Sequence, residues 1–162
     1  MPNSIKLHEL LSPATVKLAL AGRDRDSVLQ ELVNLIPKIE EHPTTRDTLL
    51  RALHEREQLH STGIGDGIAL PHARNALVGL VDQPVIIFGR HATGIPYGAI
   101  DGKPAQLFFL LIAPTVTQHL AILARISRVL NNPRLRQLLL NADRPEKALE
   151  LIKEAELKLY SE

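Results

Sequence analysis

The chain has 162 residues, 19 Lys and Arg against 18 Asp and Glu, seven His, and no Cys or Trp. That length suits one domain of roughly 150 residues, and a hydrophobic content of 44% supports a buried core over a disordered chain. The lack of Cys excludes disulfides, thiolate zinc sites and a cysteine nucleophile. The net charge of +1 supplies no global field for nucleic acid or anionic lipid. The opening MPNSIKLHELL lacks the basic-then-apolar order of a signal peptide, and the longest apolar run, Leu107 to Pro114, is too short to cross a bilayer. The expectation is a soluble, cytoplasmic, single-domain protein spanning residues 1–162, with no nucleic-acid partner and no membrane insertion.

Taken in chain order, Ser4 to Leu11 carries enough apolar residues for one or two helical turns. Thr15 to Leu20 alternates with Val16, Leu18 and Leu20 on one face, the period of a half-buried strand. Gly22 and Arg23-Asp24-Arg25-Asp26 interrupt it, and Asp26 is a candidate cap for a helix with Val28, Leu29, Leu32, Val33, Leu35 and Ile36 as its apolar stripe. Pro37 falls in the fraying end of that helix, and Pro43 closes the linker. Thr44 or Thr45 caps a second helix to about Leu59, with Leu49, Leu50 and Leu53 inward.

The texture then changes to STGIGDGIALPHA, read as a loop, a short strand at Ile68 to Leu70 and another loop. Val85 to Phe88 and Gln106 to Ala113 are strands, the second central because it is almost wholly apolar. Gly94-Ile95-Pro96 and Asp101-Gly102 between them are turn chemistry. Thr115 or Thr117 caps a helix carrying Leu120, Leu123, Ile126, Val129 and Leu130. Asn131-Asn132-Pro133 breaks it, a helix near Leu135 to Leu140 follows, and Asp143 caps a last helix with Leu149, Ile152 and Leu157. A strand, two helices, about three strands and three helices predict an α/β fold with a mixed sheet covered on both faces.

Where the chemistry sits is narrower. No Walker A loop, G-x-S-x-G elbow, H-E-x-x-H or G-x-G-x-x-G is present. Gly63, Gly65 and Gly67 alternate, and backbone amides in such a loop can form an anion-binding nest, although an ordinary turn has the same composition. His72 follows Pro71 at the end of a short strand, and His119 opens the helix after the central strand, so the two can meet at one edge of the sheet. His8, His42, His54, His60 and His91 read as surface residues, His60 being the one nearest the glycine-rich stretch. The RDRD run and Arg134 and Arg136 read as solvated helix faces.

Arg56-Glu57 followed by Ser61-Thr62-Gly63-Ile64-Gly65-Asp66-Gly67-Ile68-Ala69-Leu70-Pro71-His72 closely resembles the phosphorylation-site motif of bacterial phosphotransferase-system IIA domains of the mannitol, fructose and nitrogen-regulatory type. The likeness continues through Gly94-Ile95-Pro96-Tyr97, Asp101-Gly102-Lys103-Pro104, the apolar strand to Pro114, and His119-Leu120 with Leu123, and covers roughly residues 5 to 155. It implies a three-layer α/β/α sandwich around a mixed sheet. It also implies that His72 accepts the phosphoryl group, that His119 assists, and that Arg56 stabilises the phosphoryl charge. Asp66 falls where many sugar-type members carry an acid, and Ser61, Thr62, Gly63, Gly65 and Gly67 form the loop beside the phosphoryl group. Ala73 replaces a glycine common in relatives.

The resemblance further implies a histidine phosphocarrier protein as donor, and a regulatory target or a IIB domain as the next partner, with no metal or cofactor. A lone domain leans toward the nitrogen-type regulatory role, most like the free-standing nitrogen-regulatory protein; a sugar-specific subunit passing the group to a IIB cysteine is the alternative. A non-catalytic binding module of the same fold, and a zinc enzyme using His72, His119 and Asp66, are the remaining classes.

Overall fold

The computed structural model describes residues 5–73 and 81–161. The elements are α1 (Leu7–Leu10), β1 (Val16–Lys17), α2 (Arg25–Val33), α3 (Pro43–Leu59), β2 (Gly63–Gly65), β3 (Ile68–Ala69), β4 (Val85–Ile95), β5 (Ala105–Ile112), α4 (Val116–Leu130), α5 (Pro133–Leu140) and α6 (Pro145–Tyr160). The sheet order is β1-β4-β5-β3-β2. β1 runs parallel to β4 and β3 parallel to β5, while β4 with β5 and β2 with β3 are antiparallel. The sheet is therefore mixed, as expected from the element order.

Alternation along β5 builds the three layers. Leu107, Phe109 and Leu111 face a core shared with α1, α4, α5 and α6. Phe108, Leu110 and Ile112 face the other side, against α2 and α3. Both faces are covered, so the strand reads as one apolar run. Phe88 of β4 stacks on Phe109 with ring centroids 4.5 Å apart. Gly89 admits α2 closely: a Cβ there would meet Leu32 Cδ2 at 2.6 Å.

Several expectations are corrected at the level of local chemistry. Asp24, not Asp26, caps α2, its side chain accepting from the Ser27 amide at 2.8 Å. Helix α2 ends at Val33, short of Pro37. α3 begins at Pro43, with His42 as the N-cap residue and no side-chain cap, so neither Thr44 nor Thr45 caps it. α6 begins the same way at Pro145 after Arg144, and Asp143 instead pairs with Arg144 at 3.1 Å. Thr115 does cap α4, accepting from the Gln118 amide at 3.2 Å.

Thr15 lies in a turn of 3-10 helix (Pro13–Thr15), leaving only Val16–Lys17 as strand. The glycine-rich stretch read as loop, short strand and loop is a β-hairpin, and β4 extends through Gly94 and Ile95 with a ladder irregularity between Arg90 and Ile95, whereas Asp101-Gly102 is a turn as read. Leu120 is 60% exposed, not core; Ile122 is buried in its place. Arg136 is folded back to cap the Leu130 carbonyl at 2.8 Å. His8 and His91 are structural: His8 Nδ1 lies 2.6 Å from Glu156, and His91 bridges the Gly22 carbonyl and the Gly94 amide. Ser4, where the first helical segment was expected to begin, lies outside the described residues.

Candidate active site

The parallel arrangement of β3 and β5 puts the chain segments that follow them at the same end of the sheet. Beyond β3 the backbone stays extended long enough for His72 to bridge Leu111 of β5, with the Leu111 amide donating to the Pro71 carbonyl at 3.1 Å. Beyond β5 the chain turns at Pro114 into α4, whose first turn carries His119. The imidazoles consequently meet, with ring centroids 5.2 Å apart and planes tilted by 56°. The carboxyl ends of neighbouring strands are the usual location for sites on α/β sheets.

The chemistry of each ring follows from its surroundings. His72 Nδ1 is 2.7 Å from the Leu70 carbonyl oxygen. A carbonyl only accepts, so Nδ1 carries the hydrogen and Nε2 keeps its lone pair. His72 and His119 are both half-buried. Burial, reinforced by the neighbouring His72, holds the His119 pKa below the ordinary imidazole value and favours its neutral form. Helix α4 presents its N-terminal end beside the two rings, which favours negative charge there.

The other expected site residues divide along the β2–β3 hairpin. Thr62 accepts from the Leu70 amide through its carbonyl at 3.0 Å, so the Ser61–Thr62 entrance lies at the histidine end. Arg56 sits in the last turn of α3 just before that entrance. Its Nη1 donates to the His60 carbonyl at 2.6 Å, and its Nε is buried without a hydrogen-bond partner among the described residues. Gly65, Asp66 and Gly67 form the hairpin turn at the opposite end, all with positive φ. Asp66 Oδ2 is 4.0 Å from Arg136, which caps the C-terminal end of α4, whereas His119 is in the first turn of that same helix. From His119 to Leu130 the helix rises roughly 16 Å at ~1.5 Å per residue, so Asp66 is well removed from the imidazoles.

Three amides in and beside the glycine-rich stretch already have partners. The Thr62 amide donates to Glu57 at 2.9 Å, Gly63 to Ser61 Oγ at 2.9 Å and Asp66 to Asp101 at 2.8 Å, so these amides are spent within the protein. Among the described residues no group of three or more His, Cys, Asp or Glu is placed to hold a metal ion. Two residues that the motif contained but that were given no role, Glu57 and Tyr97, form a buried network with Thr62: Oε2 of Glu57 accepts from Thr62 Oγ1 and, at 2.9 Å, from the Tyr97 hydroxyl. Burial and the adjacent Glu57 push the Tyr97 phenol far above its ordinary pKa. The signal was available in the periodicity, since Glu57 continues the Leu49–Leu53 stripe at helical spacing, where an acid has to be paired.

A family model described as the phosphoenolpyruvate-dependent sugar phosphotransferase system, EIIA 2, matches residues 9–155. The chain belongs to this EIIA 2 family. It is 35% identical over 150 residues to the fructose-specific EIIABC component of Bacillus subtilis, covering 91% of this chain but only 23% of that much longer protein. It is 30% identical over 150 residues to a nitrogen regulatory protein of Pseudomonas aeruginosa, covering 91% of this chain and 95% of the relative. Among solved structures, the nitrogen regulatory protein IIA-Ntr of Neisseria meningitidis superposes with a TM-score of 0.79 at 26% identity, over 90% of this chain and 98% of that one. Relatives of this EIIA chain thus carry both sugar-transport and nitrogen-regulatory names. No helix among the described residues is long and apolar enough to cross a membrane.

Proposed function

We propose that the chain is a phosphoryl carrier that takes a phosphoryl group onto Nε2 of His72 from a histidine phosphocarrier protein and serves mainly as a nitrogen-type regulatory component. The observation that carries this reading is the Nδ1 contact to the Leu70 carbonyl, which leaves Nε2 of His72 as the nucleophilic nitrogen beside a second imidazole. In the transfer, the N–P bond on the donor histidine breaks as the N–P bond to His72 Nε2 forms. Each imidazole keeps the hydrogen on its other nitrogen, so no acid, base, metal or cofactor enters the balance. What the site has to supply is alignment and stabilisation of charge.

His119 donates to the phosphoryl oxygens from one side, and the N-terminal end of α4 adds a favourable dipole. Arg56 contributes cationic charge at the hairpin entrance. Ser61, Thr62 and Gly63 shape the approach without donating, because their polar groups are engaged internally. Asp66, Gly65 and Gly67 take no direct part, given their place at the far turn. Val116 and Leu120, exposed on the first turns of α4 next to His119, offer apolar contact to the carrier protein.

The near end-to-end likeness to a nitrogen regulatory protein supports the regulatory role. The higher identity to a fructose component supports a second reading, a sugar-type subunit that hands the group to a IIB domain. The test is incubation with phosphoenolpyruvate and a purified phosphocarrier system, followed by phosphate-affinity electrophoresis. A mobility shift that His72→Ala abolishes is expected; an unshifted wild-type band would overturn the carrier reading. Adding a IIB domain then separates the roles: rapid discharge marks the sugar subunit, and retention of the label with charge-dependent binding of a lysate protein marks the regulator.

A further inference from the structure

We infer that Glu57 is a positioning residue for His72, acting through a hydrogen-bond relay that fixes the tautomer of the accepting imidazole. The inference rests on the carrier reading for its functional consequence. Glu57 is only 4% exposed, and its carboxylate gathers donors from two other segments. The Thr62 amide reaches Oε1 at 2.9 Å, and both Thr62 Oγ1 and the Tyr97 hydroxyl reach Oε2, the latter at 2.9 Å. α3, the start of the hairpin and the segment after β4 are thereby tied at one point.

Tyr97 is held at its other end as well, because Ser61 Oγ donates to its carbonyl and in turn accepts from the Gly63 amide. Its ring packs edge-on against Phe108 of the central strand at 5.6 Å. The clamp therefore joins the hairpin entrance to the rigid middle of the sheet. A carboxylate offers several acceptor sites in fixed geometry, which suits it to collect three donors in a buried place.

The relay runs on through backbone groups. The Thr62 carbonyl accepts from the Leu70 amide at 3.0 Å, and the Leu70 carbonyl accepts from His72 Nδ1 at 2.7 Å. Glu57 thus fixes Thr62, Thr62 fixes Leu70, and Leu70 fixes which nitrogen of His72 bears the hydrogen. Without that lock the imidazole samples both tautomers and a wider range of ring angles, and part of the population has no lone pair on Nε2. The buried acid sits there because the ring three steps along the relay must be aimed, and an apolar residue in its place would pack without aiming anything.

The test pairs a spectroscopic readout with a kinetic one on the full chain. Long-range proton–nitrogen correlation spectra report the tautomer of the His72 ring, and the rate of phosphorylation by the purified phosphocarrier system reports its competence. Wild type is expected to show His72 almost wholly as the Nδ1–H form. Glu57→Ala should mix the tautomers and slow phosphorylation by about tenfold or more. Glu57→Gln should restore both, since its carbonyl oxygen can take the Thr62 amide while its NH2 donates to the two hydroxyls. Where Glu57→Ala does not fold, Thr62→Val with Tyr97→Phe removes two of the three donors at nearly constant volume and carries the same expectation. A folded, relay-breaking variant in which the His72 tautomer stays as in wild type overturns the inference, and so does one phosphorylated at the wild-type rate. If wild type takes up no phosphoryl group the carrier reading fails, and the tautomer populations alone still decide the relay.

Discussion

Two imidazoles 5.2 Å apart divide the chemistry between them because their environments differ. His72 is locked by a backbone carbonyl, whereas His119 is held neutral by burial and by its neighbour. Adding a phosphoryl group to His72 brings a charge of nearly −2. That reverses the local balance, since an adjacent anion favours imidazolium. The His119 pKa should therefore move upward on phosphorylation, from below ~6.5 in the free protein, which proton NMR titration of both forms will show; an unchanged or lower value would contradict the assignment. His119→Ala removes a donor to a charged group, worth about 1.5–3 kcal/mol, so transfer should slow by about ten- to a hundredfold in a protein that still folds. A rate within twofold of wild type would make His119 structural only.

At the scale of elements, what fixes each helix is its first residue, and here the sequence was only half legible. Asp24 and Asp26 are both plausible caps on composition, yet only Asp24 adopts the extended backbone that lets its carboxylate reach the Ser27 amide. Asp24→Ala should lower the midpoint of urea denaturation, as the loss of a helix cap does. Asp26→Ala, which loses exposed contacts with His54 and Arg25, should stay within about 0.5 kcal/mol. Equal losses at the two positions would contradict the capping assignment. The element order, the central strand and the meeting of His72 with His119 were readable because they rest on apolar periodicity and on where strands end. The β2–β3 hairpin was not, since strands of two or three residues rich in glycine leave no period to detect. The Glu57 network was legible only in part: the helical stripe marks a buried acid that needs a partner, but nothing local says that Tyr97 reaches back to α3.

Over the whole molecule, the N-terminal segment is tied to the last helix through Glu156. Its fully buried carboxylate accepts from the Leu7 amide at 2.6 Å and from Arg125 Nε at 2.5 Å, and contacts His8 Nδ1 at 2.6 Å. Burial pushes the Glu156 pKa upward, but Arg125, the Leu7 amide and His8 outweigh it and hold the group below the ordinary carboxylate range. A lowered native pKa means that the unfolded chain binds the proton more tightly. The stabilisation is thus complete above about pH 5 and is lost as pH falls through the lowered native value. Glu156→Gln should flatten the acid limb of stability against pH in urea titrations, and an unaltered limb would contradict this. Glu156→Ala, which removes the acceptor shared by Arg125 and the Leu7 and His8 amides, should lower stability to urea at pH 7. These contacts keep α4 seated, and α4 carries His119 to the carboxyl end of β3, the place of the proposed phosphoryl transfer. The most direct test of that event is phosphorus and long-range nitrogen NMR of the protein after phosphorylation by the phosphocarrier system. One acid-labile phosphoramidate is expected, on Nε2 of His72, with Nδ1 still bearing its hydrogen. Phosphate on His119, on Nδ1 of His72 or on a hydroxyl side chain would contradict it.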